Sequence, residues 1–219
     1  MTRTIGTQEG APAGRRDYRS FSFWLETAGE EIVPRPPLAG PTRADVAILG
    51  AGFTGLWTAY YLLGNDPSLR VVVLEAETAG FGASGRNGAW CNAAFPVTPG
   101  ELARRFGAEA ARDLLLQMRG AVDEVGSVAE REGIDAQFFR GGQLRIARGP
   151  AQMPSIEGSY ESLRSLGLGE GVQLLDERET ARRVRITGAK GALFSEHCAT
   201  IHPARLVRGL ARAVERLGG

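Results

Sequence analysis

The stretch from Asp45 to Ala76 restricts the fold of this chain more than any other. Val46 to Leu49 is a short continuous apolar run, the pattern of a strand buried on both faces of a parallel sheet. Gly50-Ala51-Gly52-Phe53-Thr54-Gly55 follows at once, then a helix-patterned segment to about Leu63, then a second apolar run, Val71 to Leu74, that ends on Glu75 and Ala76. In a strand–turn–helix–strand unit the first glycine permits the tight turn. The second lets backbone approach a pyrophosphate, and the third lets helix and strand pack closely. The anion rests on the unpaired N–H groups and positive end of the helix. Glu75 lies 20 residues past Gly55, at a strand end where a carboxylate accepts hydrogen bonds from ribose hydroxyls and repels a 2′-phosphate. A lone glycine turn is common and need bind nothing. The ordered set of strand, glycines, helix, strand and acid points to a dinucleotide site, with Gly50, Ala51, Gly52, Phe53, Thr54, Gly55, Glu75 and Ala76 as its candidate residues.

A second glycine-rich stretch follows, Ala79-Gly80-Phe81-Gly82-Ala83-Ser84-Gly85-Arg86-Asn87-Gly88-Ala89. Small residues let backbone approach a ligand, while Ser84, Arg86 and Asn87 bring hydrogen-bond donors and a charge suited to phosphate. The bland alternative is a flexible surface loop. Its position beside a dinucleotide motif favours ligand contact, and adds Ala83, Ser84, Arg86, Asn87 and Gly88 to the candidates.

The rest of the chain reads as an α/β protein with α+β insertions. Residues 1–17 have little to bury and are expected to be disordered. Tyr18 to Leu25 carries enough aromatic surface to dock on a body, and Pro34 to Pro41 should run extended over the surface. Trp90 to Val97 is expected near the ligand or in the core. Ala108 to about Glu132 repeats Leu114, Met118, Val122, Val125 and Val128 at helical steps, a core-packing stripe. Phe138 to Ala147 reads as a hairpin around Gly141-Gly142, the first antiparallel element. A helix is expected over Glu157–Leu166, a strand over Val172–Leu175, a helix capped by Asp176 running to Val184, and a strand over Gly191–Ser195. His202-Pro203 opens a last helix, with Leu206, Leu210, Val214 and Leu217 as its buried stripe and Arg205, Arg208, Arg212 and Arg216 as a solvated face.

Composition excludes several classes. A net charge of +1 gives no electrostatic reason for nucleic acid or an anionic membrane as a partner. No apolar run approaches the ~18 residues of a membrane span, and Arg15-Arg16 is not followed by a segment long enough for an export signal. The expectation is a cytoplasmic protein. Cys91 and Cys198 offer neither a disulfide framework nor metal-ligand spacing, and read as small buried side chains. No metal site is expected.

With both glycine-rich stretches in hand, the chain resembles the FAD-dependent amine and amino-acid oxidoreductases related to D-amino-acid oxidase, sarcosine oxidase and glycine oxidase. Gly82-Ala83-Ser84-Gly85-Arg86-Asn87-Gly88 is most similar to gamma-glutamylputrescine oxidase-type members, and the likeness extends from Ser20 onward, through Phe139–Ala147 and Ile201–Leu206. The resemblance implies FAD as cofactor, with Gly50, Gly52 and Gly55 on the pyrophosphate, Glu75 on the adenosine ribose, and Ser84, Arg86, Asn87 and Gly88 on the phosphate and flavin side. It implies oxidation of an amine or amino-acid C–N bond by hydride passing to flavin N5, hydrolysis of the resulting imine, and reoxidation of the flavin by oxygen or another acceptor. Where relatives commonly read Asn-Gly-Gly, this chain has Asn87-Gly88-Ala89. No catalytic residue is assigned. His202, ahead of a helix-opening proline, reads as a capping or packing group.

Such enzymes run to roughly twice this length, and a helix followed by Gly218-Gly219 usually leads into another parallel strand. The expected organisation is an extended lead-in over 1–43, an incomplete Rossmann-like FAD-binding domain over 44–135 and 196–219, and the start of a substrate domain over 136–195. On this reading the chain is the N-terminal part of a longer design, and alone retains flavin weakly or not at all and does not turn over. Two other readings stay open: an NAD-dependent dehydrogenase using the same motif, and a truncated or split dinucleotide-binding module, inactive alone, whose missing half comes from another chain.

Overall fold

A computed structural model describes residues 16–219; most of the expected disordered segment, residues 1–15, lies outside them. In chain order the regular elements are α1 (Phe23–Glu26), β1 (Val46–Leu49), α2 (Phe53–Asn65), β2 (Val71–Leu74), β3 (Trp90–Asn92), α3 (Pro99–Phe106) and α4 (Ala108–Arg131). There follow β4 (Gln143–Ala147), α5 (Gln152–Ser165), β5 (Val172–Asp176), α6 (Glu177–Arg183), β6 (Gly191–Ser195), β7 (Cys198–Thr200) and α7 (Pro203–Arg216). Strand β1 pairs in parallel with β2, β3 antiparallel with β7, and β4 and β5 both pair antiparallel with β6.

The β1–α2–β2 unit is the expected one, in register from Val46↔Val71 to Leu49↔Leu74. Its helix reaches the strand closely because Gly55 carries no side chain. A Cβ there would stand 2.2 Å from the Gly50 carbonyl oxygen and 3.0 Å from Ile48 Cγ2. Leu56, Ala59, Tyr60 and Leu63 of α2 are buried against Val71 and the α7 residues Val207, Leu210 and Val214. Burial on both faces of β1 is not met. Val46 and Ile48 are partly covered, but Ala47 and Leu49 are open, Leu49 to 83%. Among the described residues α2 and α7 pack on one side of a two-stranded sheet, and the second side has no cover, although the unbroken apolar run is suited to one.

Helix α7 is built as expected at its start. Pro203 stands in the first turn and His202 is the N-cap, its Nδ1 accepting from the Arg205 N–H at 3.3 Å. Leu206, Leu210 and Val214 are buried, while Leu217 is exposed. The arginine face is solvated only in part: Arg212 and Arg216 are exposed as expected, Arg205 is half-buried, and Arg208 is a correction. Arg208 is 6% exposed and pairs with Glu30; Arg212 also reaches Glu30, at 2.8 Å. Arg205 pairs with Asp135 at 2.6 Å, and Arg216 with Glu132 at 2.8 Å. Helical spacing shows which residues leave the apolar stripe, but not that the lead-in crosses over them. Burial works against the Glu30 charge, yet the two guanidiniums outweigh it and hold its carboxyl below the usual carboxylate range.

The lead-in docks as its composition indicated. Tyr18, Leu25, Ala28 and Ile32 form a small core with Ala204, with Trp24 and Phe81 packed against it. Residues 33–38 then run over the surface without regular structure.

The expected hairpin at Phe138–Ala147 is absent. Phe139 bridges Thr200, extending the β3–β7 pair, and the Gly142 N–H donates to the Cys198 carbonyl at 3.0 Å. Strand β4 instead pairs with β6, from Gln143↔Ser195 to Ala147↔Gly191. Gly141-Gly142, with φ +73° at Gly142, therefore carries the chain between two sheets. The α4 stripe is shifted: Val122 and Val128 are buried as expected, but Ala111, Leu115 and Ala129 complete the buried set, and Leu114, Met118 and Val125 are half-buried. Helix α5 starts earlier than expected, at Gln152, with Pro154 tolerated in its first turn. Asp176 caps α6 in a reciprocal capping box with Glu179.

Two substitutions test this packing. Glu30→Ala leaves the Arg208 charge buried without its carboxylate and should lower stability by about 2 kcal/mol in urea unfolding, less than a fully buried pair because Glu30 is partly solvated. Gly55→Ala forces a methyl onto backbone and should cost about 3 kcal/mol. Gly64→Ala in the same helix, with nothing within 4 Å of the added Cβ, should stabilise by about 0.5 kcal/mol; equal effects at the two glycines would contradict the close-approach assignment.

Candidate functional site: a joined glycine cradle

The N-terminus of α2 opens without a side-chain cap, since Gly52 is the N-cap residue. A helix begins with N–H groups that no earlier helical carbonyl can accept. Here the Phe53 N–H donates at 2.9 Å to Ser84 Oγ, from the second glycine-rich stretch. Ser84 thus supplies in space the cap that Gly52 lacks, and a Cβ at Gly52 would stand 3.0 Å from the same oxygen. The Thr54 and Gly55 N–H groups in this first turn receive no side chain from Gly52, leaving the positive helix end available to an anion.

Glu75 braces the other side of the turn. Its Oε2 accepts from the Ala51 N–H at 2.8 Å and its Oε1 from the Glu77 N–H at 3.1 Å. Gly50, at φ +101°, makes the turn out of β1, and its N–H donates to the Leu74 carbonyl at 2.7 Å. The carboxylate is exposed together with Ala76, so it keeps lone pairs for a ligand hydroxyl beyond the two backbone donors.

The two glycine-rich stretches are one structure. The Gly80 N–H donates to the Ala51 carbonyl at 2.9 Å. Gly80 sits at φ +79° with no room for a Cβ, which would meet Val207 Cγ1 at 2.3 Å, and a Cβ at Gly85 would meet the Gly80 carbonyl at 2.2 Å. Ala83 to Gly85 form a short 3-10 turn. The expectation that Ser84, Arg86 and Asn87 all present free donors is only partly met. Ser84 is the cap. The Arg86 guanidinium lies 5.0 Å from the centre of the Phe81 ring, with its Nε donating to the Gly82 carbonyl at 3.3 Å, while remaining exposed. Asn87 turns inward, donating to the Ser84 carbonyl at 3.0 Å and accepting from the Ala89 N–H at 2.9 Å. Gly88 is exposed. Ala89 adopts φ +64°, a left-handed conformation, which gives a physical reason for glycine at this position in Asn-Gly-Gly sequences. The lead-in clamps this stretch from outside: Ser22 Oγ donates to the Gly85 carbonyl at 2.9 Å and Trp24 Nε1 to that of Asn87 at 2.8 Å.

Beside the cradle lies a cleft of about 800 Å³, lined by Gly50, Ala51 and Glu75 to Ala79, by Val33–Leu38 of the lead-in, and by α7 residues including Arg208 and Ala211. Thr78 in its wall is 3% exposed, and its Oγ1 has no hydrogen-bond partner in the described structure. Neither Thr78 nor the lead-in wall was legible in the sequence, because a single threonine and a proline run carry no spacing signal.

Other candidates separate from this site. His202 is a cap and also stands 3.1 Å from Thr27 Oγ1; burial, reinforced by Arg205, lowers its pKa and keeps it neutral. Cys91 and Cys198 are free thiols, and burial beside Cys198 pushes Cys91 up to about 11, so neither is an activated nucleophile. Trp90 is 64% exposed rather than in the core. Among the described residues no His, Cys, Asp and Glu cluster is arranged to hold a metal, and no helix is long and apolar enough to cross a membrane.

Gamma-glutamylputrescine oxidoreductase of Escherichia coli (strain K12) is 30% identical over 198 residues, covering 90% of this chain and 46% of the relative. The crystal structure of glycine oxidase from Geobacillus kaustophilus superposes with a TM-score of 0.65 at 26% identity, over 81% of this chain and 46% of that one. An L-amino acid deaminase from Proteus vulgaris, lacking its specific insertion sequence, shares the fold with a TM-score of 0.68 at 19% identity, over 92% of this chain and 49% of that one. The chain therefore spans about half the length of the relatives it matches. The family model for FAD dependent oxidoreductases matches residues 45–219, from the first strand through both glycine-rich stretches to α7, and the chain belongs to that family.

Proposed function

We propose that this chain supplies the cofactor-binding part of an FAD-dependent oxidoreductase acting on the C–N bond of an amine or amino acid. One observation carries the reading: two glycine-rich stretches, bonded through residues 29 and 31 positions apart in sequence, form a single cradle at the α2 N-terminus, with the Glu75 carboxylate at its edge. A dinucleotide has the matching parts. Its pyrophosphate suits the N–H groups of the α2 first turn beside Gly50, Ala51, Gly52, Phe53, Thr54 and Gly55. Its ribose suits Glu75 and Ala76. Ala83, Ser84, Arg86, Asn87 and Gly88 lie on the flavin-directed side of the same cradle. The orphaned hydroxyl of Thr78 and the adjoining cleft fit a ligand of this kind.

Bound flavin supplies the two-electron acceptor for amine oxidation. The protein's own work is to hold the pyrophosphate charge on a helix end, fix the ribose with a carboxylate, and keep the second stretch in place through Ser22 and Trp24. Residues 44–135 with 196–219 form the cofactor-binding domain in this reading, and 136–195, with the β4–β6–β5 sheet, begin the substrate domain. The names of the relatives support amines or amino acids as the substrate class; the remaining walls of a substrate site belong to the part of the relatives that this chain does not span.

An equilibrium titration tests the reading. FAD fluorescence should be quenched saturably by the chain and recovered on adding ADP, with no recovery from NADP and no amine turnover by the chain alone. Glu75→Ala should weaken FAD binding about tenfold, the equivalent of one charge-assisted hydrogen bond. Saturable binding of NAD with no response to FAD would overturn the assignment.

A further inference from the structure

We propose that the proline-rich segment Val33–Leu38 is the outer wall of an adenosine-diphosphate subsite, latched shut by ion pairs to α7; this rests on the dinucleotide reading above. The segment lies before residue 45, where the family match begins, yet it lines the same cleft as Gly50, Ala51 and Glu75. It is held at two points. Arg35 makes a bidentate pair with Glu215, at 2.6 and 3.1 Å. A few residues earlier, Glu30 joins Arg208 and Arg212. Pro34 on one side of Arg35 and Pro36 and Pro37 on the other restrict the backbone here, and fix an extended course at little cost on docking.

A second feature of the same lining points to a ligand. Thr78 is almost fully buried with an unpartnered Oγ1, an arrangement that costs free energy unless something bonds to it. Ala211 of α7, 7% exposed, lines the same cleft. Gly50, Ala51 and Glu75 line this cleft, and Gly50 and Ala51 lead directly into the α2 first turn, so the chemistry that fits is a nucleoside followed by a pyrophosphate. Adenosine diphosphate is the part of FAD that satisfies both.

The cleft carries its own reporter. In an Ala211→Cys protein, labelling by a bulky thiol reagent measures how often the wall opens, with no cofactor required. Arg35→Glu sets two carboxylates against each other and should speed labelling about tenfold; the exchange Arg35→Glu with Glu215→Arg should return it to within about twofold of the parent. Saturating ADP should slow labelling in the latched protein, and Thr78→Val should weaken that protection while leaving the melting temperature unchanged or raised. Equal labelling in the parent and both latch variants would overturn the wall. Latch-dependent labelling that ignores ADP, in a protein that still quenches FAD, would overturn the adenosine assignment while leaving the cofactor reading intact. Indifference to both ADP and FAD would overturn the cofactor reading and this subsite together.

Discussion

The close approach of α2 to β1 is the constraint on which the rest depends. Gly55 brings the helix against the Gly50 carbonyl, where any side chain would collide at 2.2 Å. That contact fixes where the helix N-terminus points and therefore where an anion can sit. The same approach leaves the helix beginning on a glycine with no cap of its own. Ser84 fills that need from a stretch more than 30 residues away, so the helix end and the second glycine-rich stretch are built by one hydrogen bond. Gly80 to Ala51 makes the second connection. A cofactor cradle of this kind is preorganised, and binding need not meet the full entropy of ordering two loops.

The lead-in turns this local unit into a larger structure. Its aromatic half anchors the second stretch through Ser22 and Trp24, and its later half joins α7 through Glu30 and Arg35. The Glu30–Arg208–Arg212 cluster is a partly buried charge arrangement that adds specificity of docking more than raw stability, since desolvation of Arg208 and Glu30 opposes the Coulombic gain. The cost of breaking it comes from the guanidinium left behind.

What the sequence disclosed follows the range of each interaction. The β1–α2–β2 unit, the Asp176 cap and the His202-Pro203 helix start depend on neighbours within a few residues or on one short crossover, and periodicity records such features. The Gly141-Gly142 crossing depends on Phe139 meeting Thr200 and on β4 meeting β6, pairings across roughly 50 residues that glycine content does not encode. Hence a local hairpin was the natural reading and the wrong one. Arg208 is similar: its helical position placed it off the apolar stripe, but only the lead-in decides that this one arginine is buried while Arg212 and Arg216 stay exposed. In the site, the glycines and Glu75 were legible because each has a geometric role at fixed spacing. The inward turns of Ser84 and Asn87 were not, because a polar side chain in a glycine-rich loop has many possible partners.

The central claim is that both glycine-rich stretches form one cradle before any ligand arrives. Backbone amide hydrogen exchange of Phe53 and Gly80 in the ligand-free protein tests it most directly. Protection of both amides comparable to that of the α2 interior is the predicted result, with Ser84→Ala releasing Phe53 while Gly80 stays protected. Exchange of both amides at the rate of an unstructured chain would show two independent loops and contradict the account.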